Sequence, residues 1–123
     1  MLPSAHAELQ IEDSELVLHL SSVEKMEGLH GDVRLPLSSV TGAHSVDDVW
    51  QELRGMRAPG TGVPGTLAVG TWRGGFGKDF AVVHGHGPGV VVEVAGEEYV
   101  RLLVSMADAD VIATHLATVV ASA

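Results

Sequence analysis

Residues 66–72 (TLAVGTW), 79–84 (DFAVVH), 89–95 (GVVVEVA) and 98–105 (EYVRLLVS) decide the fold. Each is a short run dominated by Val, Leu and Ala and bounded by glycine, proline or charged residues, which is how strands read in sequence. The connections 73–78 (RGGFGK), 85–88 (GHGP) and 96–97 (GE) are shorter than the dozen or so residues that a parallel crossover requires. They predict a meander of antiparallel neighbours.

Outward from this block, the N-terminal third shows the same period of two. Leu9 and Ile11, then Leu16, Leu18 and Leu20, flank the turn Glu12-Asp13-Ser14-Glu15, so residues 8–20 read as a β-hairpin. Ser21 and Glu24 have the spacing of a capping box, and Gly28 is placed to end the short helix that they begin. Val33, Leu35 and Leu37 form a further strand that Pro36 confines to an edge or a bend. Residues 40–46 form a weaker strand, and Asp47 or Asp48 caps a helical turn over 49–54. Four glycines and two prolines in residues 55–65 predict a long loop. Residues 108–121 form an amphipathic helix capped by Asp108, with Asp110 near its positive end. Its inner stripe is Val111, Ile112, His115, Leu116, Val119 and Val120.

The expectation is one mainly β domain over residues 1–123. A bent antiparallel sheet closes into a β-barrel, because closure removes open edges, and the C-terminal helix caps its end. Three segments, Gly31-Asp32-Val33-Arg34-Leu35-Pro36-Leu37, Leu53-Arg54-Gly55-Met56-Arg57-Ala58-Pro59-Gly60-Thr61-Gly62 and Gly77-Lys78-Asp79-Phe80, make the chain similar to a family of small, uncharacterised bacterial proteins of the pleckstrin-homology-like (PH-like) class. The resemblance runs over nearly the whole chain. It implies the barrel and brings no activity with it.

Composition narrows the function. Of 123 residues, 46% are hydrophobic and 19% charged, which excludes a disordered chain. Aromatic residues make up 4%, so the core must be built from Val, Leu and Ala. No cysteine is present, so disulfides, thiolate metal sites and cysteine nucleophiles are excluded. No run approaches the roughly 20 apolar residues of a membrane span, and the first residues lack the pattern of a signal peptide. A cytoplasmic protein is expected. The net charge of −9 argues against nucleic acid and anionic membranes, where bases must neutralise phosphates.

Charge is unevenly placed. Residues 53–79 hold Arg54, Arg57, Arg73 and Lys78 against Asp79 alone, within a chain that is otherwise acidic. Arginine forks and glycine-exposed N–H groups can hold a small anion, which makes these four residues a candidate anion site. The competing expectation is that Arg54 and Arg57 pair with Glu52, Asp48 or Asp79 and pin the long loop to the sheet. His84 and His86 are candidate metal ligands, with His19, His30 or His44 as further donors, but two ligands specify no metal by themselves. Neither a metal nor a cofactor is expected. Gly60-x-Gly62-x-x-Gly65 has the letters of a dinucleotide fingerprint, yet no helix follows it. No catalytic residues are identified, and His115 reads as a core histidine. The acidic turn Glu12-Asp13-Ser14-Glu15 would repel a phosphoinositide head group. These readings point to a non-enzymatic binding or scaffolding module with a protein partner or a second copy of itself. A small-anion protein or enzyme using the basic cluster is the alternative.

Overall fold

The computed structural model describes residues 7–122. Strands β1 (Glu8–Glu12), β2 (Glu15–His19) and β3 (Val33–Pro36) form an antiparallel three-stranded sheet. Between β2 and β3 lies α1 (Ser22–Gly28). Six further strands follow: β4 (Val40–Val46), β5 (Met56–Val63), β6 (Leu67–Gly74), β7 (Gly77–Val83), β8 (Gly89–Val94) and β9 (Arg101–Ser105). They form one sheet in the order β4-β8-β9-β7-β6-β5. The chain ends in α2 (Ala109–Ser122). The domain is thus mainly β with a C-terminal helix.

The small sheet and α2 cover one face of the large sheet. Leu16, Leu18, Val33 and Leu35 pack there against Phe80, Val82, Val90, Val92, Leu102 and Val104. The opposite face carries Ala68, Trp72, Ala81, Val83, Val91 and Leu103, and the 3-10 turn Val49–Glu52 closes over it with Val49, helped by Trp50 and Leu53. Alternation of side chains along each strand therefore feeds two cores, which is why β8 and β9 read as unbroken apolar runs. Trp72 lies within this second core.

Several expectations are corrected. The ladder does not close: β4 and β5 are the outer strands and do not pair with each other, so hydrogen bonding leaves two open sheets. The meander is broken as well. β7 and β9 are parallel neighbours, and β8 pairs with β9 on its far side. The crossover rule survives, because residues 84–100, β8 included, form the connection between the parallel pair. Burial on both faces decides this order: Leu102, Leu103 and Val104 are all fully buried, and a central slot is where such a strand fits.

Residues 55–65 are mostly strand rather than loop. β5 pairs antiparallel with β6, with a register shift between Arg57 and Gly60. An edge strand needs hydrogen bonds on one side only, so it accepts Pro59 together with a bulge. Gly60 and Gly70 face each other in the ladder, both at positive φ. Helix α1 has the full capping box of Ser21 and Glu24, but its left-handed cap is Leu29. Gly28 serves close packing instead, since a Cβ there would stand 3.1 Å from Val69. β3 stops at Pro36, and Leu37 opens a 3-10 turn. Finally, α2 is rotated from the expected stripe. Ala109, Ala113 and Leu116 are buried, whereas Val111 and His115 are exposed. Small residues at that spacing let the helix lie close against β4, a contact that outweighs the burial of the larger Val111.

The Gly60–Gly70 approach is open to a direct test. A Cβ on Gly70 would lie 2.4 Å from the Pro59 carbonyl oxygen and 2.6 Å from the Gly60 Cα. Gly70→Ala is expected to destabilise the fold by about 3 kcal/mol or more, from clash plus backbone strain. Gly75→Ala, with open space around it, serves as the control. Urea unfolding monitored by tryptophan fluorescence separates the two.

Candidate functional site

The basic cluster is where sequence reasoning placed function, and each of its four side chains has a partner within the chain. Asp79 is fully buried. Arg54 grips it with two donors, Nε to Oδ2 at 2.8 Å and Nη2 to Oδ1 at 3.1 Å. Arg101 adds Nε at 3.1 Å and Nη2 at 2.8 Å to Oδ2. Arg101 also donates to the Glu52 carbonyl oxygen at 2.7 Å and to its Oε1 at 3.3 Å. The Phe76 ring lies beneath the Arg54 guanidinium at 3.8 Å. This clamp fastens the turn 49–52 and the segment after it to β7 and β9. Arg54 is thus engaged as the pinning alternative expected. Arg57 donates to the Gly62 carbonyl at 3.3 Å within β5, and Arg73 donates from β6 to the Ala58 carbonyl of β5 at 2.8 Å. Lys78 pairs with Glu98 at 3.5 Å. Arg101 was not singled out from the sequence, and no local motif marks it. It finds Asp79 only through the parallel register of β7 and β9.

The two candidate metal ligands also part. His84 Nε2 meets Glu24 Oε2 at 2.6 Å, and His86 Nδ1 meets Asp48 Oδ2 at 2.7 Å. Of the further donors, His30 packs tilted against Phe80 with ring centres 4.9 Å apart, and His19 lies between Glu12 and Asp32. Among the described residues, no group of three or more His, Asp or Glu side chains has the geometry to hold a metal ion.

Glu24 was read as a helix cap, and it is more than that. Its carboxylate is fully buried and receives the Ser21 N–H at 2.8 Å, the Ala7 N–H at 3.1 Å and the His84 ring. Burial alone would raise its pKa. The His84 hydrogen bond and Ser21 outweigh that and hold the carboxyl below its usual value. His84 opens onto a cleft of about 370 Å3, lined also by Ala7, His86, Pro88, Ser105 and Met106. β7 and β9, running parallel, both end here.

A second concavity, of about 660 Å3, lies along the outer strand β4. Ala43, His44 and Ser45 form one wall, and Ala113, Thr114, Ala117, Thr118 and Ala121 of α2 form the other. The Ser45 hydroxyl donates to Asp110 at one end of this groove and ties the strand to the first turn of the helix. Among the described residues, no helix is long and apolar enough to cross a membrane. Comparison with protein-family models, curated proteins and solved structures finds no match to this chain.

Two outcomes are expected. Asp79→Asn removes the charge that two guanidiniums share, and breaking a buried pair costs about 3–5 kcal/mol. The double variant Asp79→Leu/Arg101→Met is expected to recover part of that loss in chemical denaturation. His19 supplies a pH dependence. Its hydrogen bond to Glu12 raises its pKa against the lowering effect of burial, and Asp32 adds to the rise. A raised folded-state pKa gives stability that is whole below the unfolded value of about 6.5 and is lost as pH rises through the folded value. The difference in unfolding midpoint between the wild-type chain and His19→Gln is therefore expected to shrink from pH 6 to pH 9.

Proposed function

We propose that this chain is a non-enzymatic protein-binding module, and that it takes an extended segment of a partner protein along the free edge of β4, in the groove against α2. One observation carries the reading: the groove of about 660 Å3 joins an outer strand to a helix face of Ala, Thr and Ser alone. β4 pairs with β8 on one side only, so its other side offers main-chain donors and acceptors to an added strand. The small side chains opposite let a backbone approach closely. The net charge of −9 and Asp110 at one end favour a neutral or basic segment.

Two of the other outer strands, β5 and β3, suit this role less. β5 carries Pro59 and a bulge, and β3 is short and ends at a proline, both of which blunt an edge. The PH-like scaffold belongs to the same proposal. It rests on two β layers around a common core and on the terminal helix, while the parallel β7–β9 pair stands apart from a simple barrel meander. The acidic turn between β1 and β2 argues against a phosphoinositide ligand. An anion site at Arg54, Arg57, Arg73 and Lys78 is the less favoured reading, since these side chains hold Asp79, Glu98 and the backbone of β5. Self-association draws support from Val23, Met26 and Leu29, which are 63%, 80% and 72% exposed on α1 and at its cap.

Ala117→Trp tests the main reading, because Ala117 is exposed and lines the groove. Surface changes of this kind usually alter stability by less than about 0.5 kcal/mol. Peptides selected by display on the wild-type chain are expected to shift the amide resonances of residues 40–46 and to bind Ala117→Trp at least tenfold more weakly. Undiminished binding, or shifts confined to other strands, would overturn the reading. A dimer dispersed by Ala117→Trp would make a second copy the occupant.

A further inference from the structure

We infer that the free edge of β1 receives a basic extended segment of a partner protein, whose aliphatic side chains cover Leu9 and Ile112 while its lysines or arginines meet Glu8 and Asp108. The inference is independent of the β4 groove, which belongs to the other sheet.

β1 is an outer strand of the small sheet and pairs with β2 alone. Its five residues run in unbroken register, with neither the proline nor the bulge that blunts β5. Alternate residues of such a strand turn their N–H and C=O groups outward, where an added strand can pair with them. Side chains alternate as well. Leu9 and Ile11 face the core, yet each is only half-buried, whereas Leu18 and Leu16 opposite them on β2 are sealed from solvent. The difference is the missing neighbour on the outer side. Beside Leu9 lies a concavity of about 310 Å3, lined also by Met106 and by Ile112 in the first turn of α2, both half-buried. Aliphatic side chains from an added strand complete the cover of these three residues.

Charge selects the occupant of this edge. Glu8, Gln10 and Glu12 project from the face of β1 that turns away from the core, and Glu8 and Asp108 both border the concavity. Among the described residues, the Glu8 carboxylate meets only the Gln10 amide at 3.1 Å, and Asp108 pairs with no cation. Glu12 is already held by His19 and by Arg34, the latter at 3.6 Å. The turn after β1 adds Asp13 and Glu15 to the same margin. A second copy of β1 is a poor occupant, because antiparallel pairing would set its glutamates against these, and like charges across strands repel. A segment in which Lys or Arg alternates with Val, Ile or Leu fits both faces. Its bases then stand beside Glu8 and its aliphatic side chains beside Leu9. Exposed charges of this kind govern the choice of partner, while main-chain pairing supplies the affinity.

The test is a titration of the full 15N-labelled chain with the peptide Lys-Val-Lys-Val-Lys-Val, blocked at both ends. Glu-Val-Glu-Val-Glu-Val controls for charge and Lys-Ser-Lys-Ser-Lys-Ser for the aliphatic face. The lysine–valine peptide is expected to give saturable shifts centred on residues 8–12, Met106 and Ile112, and each control to bind about tenfold more weakly or worse. Glu8→Lys, at an exposed position, is expected to weaken the lysine–valine peptide about tenfold and to admit the glutamate–valine peptide. Thermal unfolding confirms that this variant remains folded. Two further lysine–valine peptides carry N-methyl groups, one on its lysines and the other on its valines. Pairing along one side of the peptide requires that one of these binds about tenfold more weakly and the other as the parent does. The inference fails if no saturable shift appears at about 1 mM peptide, if either control matches the lysine–valine peptide, if both N-methylated peptides bind as the parent does, or if folded Glu8→Lys keeps the wild-type preference. Shifts confined to residues 40–46 would also overturn it, and would leave the β4 reading standing.

Discussion

The large sheet is buried on both faces, and this one constraint orders the molecule. Its central strands carry apolar side chains toward two cores at once, and the buried polar residues among them, Thr71 and Asp79, are each held by a hydrogen-bond partner. β9, with Leu102, Leu103 and Val104 all sealed from solvent, takes the position between β7 and β8. The parallel pair follows from that placement. So does the location of everything with chemical character, since strand ends and outer strands are the only positions left for it. The cleft sits where β7 and β9 stop, and the groove lies along β4 at the margin.

A chain with sixteen acidic and seven basic side chains must also place its surplus of carboxylates. Most face water, and two do not. Asp79 is held under the turn 49–52 by Arg54 and Arg101, a clamp that closes the second core from the side. Glu24 lies at the junction of α1, the start of β1 and the end of β7, where His84 completes its donors. Each buried charge ties together segments far apart in sequence, and each would be costly if its partners were lost. The clamp is saturated within the protein. The Glu24 pair lies beside the cleft at the ends of β7 and β9, which His84 lines.

Much of this was legible locally. The hairpin over residues 8–20, the capping box of Ser21 and Glu24, the edge character of Pro36 and the terminal helix all emerge from spacing, because each is a contact between residues near in sequence. Arg54 and Asp79 were named as a possible pair from charge alone. Residues 55–65 were misread because their glycines and prolines were counted as if the strand had neighbours on both sides. At an edge the missing donor of Pro59 costs little, and the two opposed glycines allow β5 and β6 to approach. The helix stripe was misjudged for a related reason: size of side chain was weighed, and the value of small residues for close packing on β4 was not.

Sequence alone determined the class of the domain, the period of its strands, the helix at its end and the absence of thiol chemistry, since composition and short-range alternation decide these. Tertiary structure alone decided that β9 would insert beside β7, that Arg101 would share Asp79, and that Glu24 would reach across sixty positions to His84. The reason is physical. Local pattern says which face of a segment avoids water, but it is silent on which other segment supplies the cover, and pairings between distant residues are settled only when the whole core is packed.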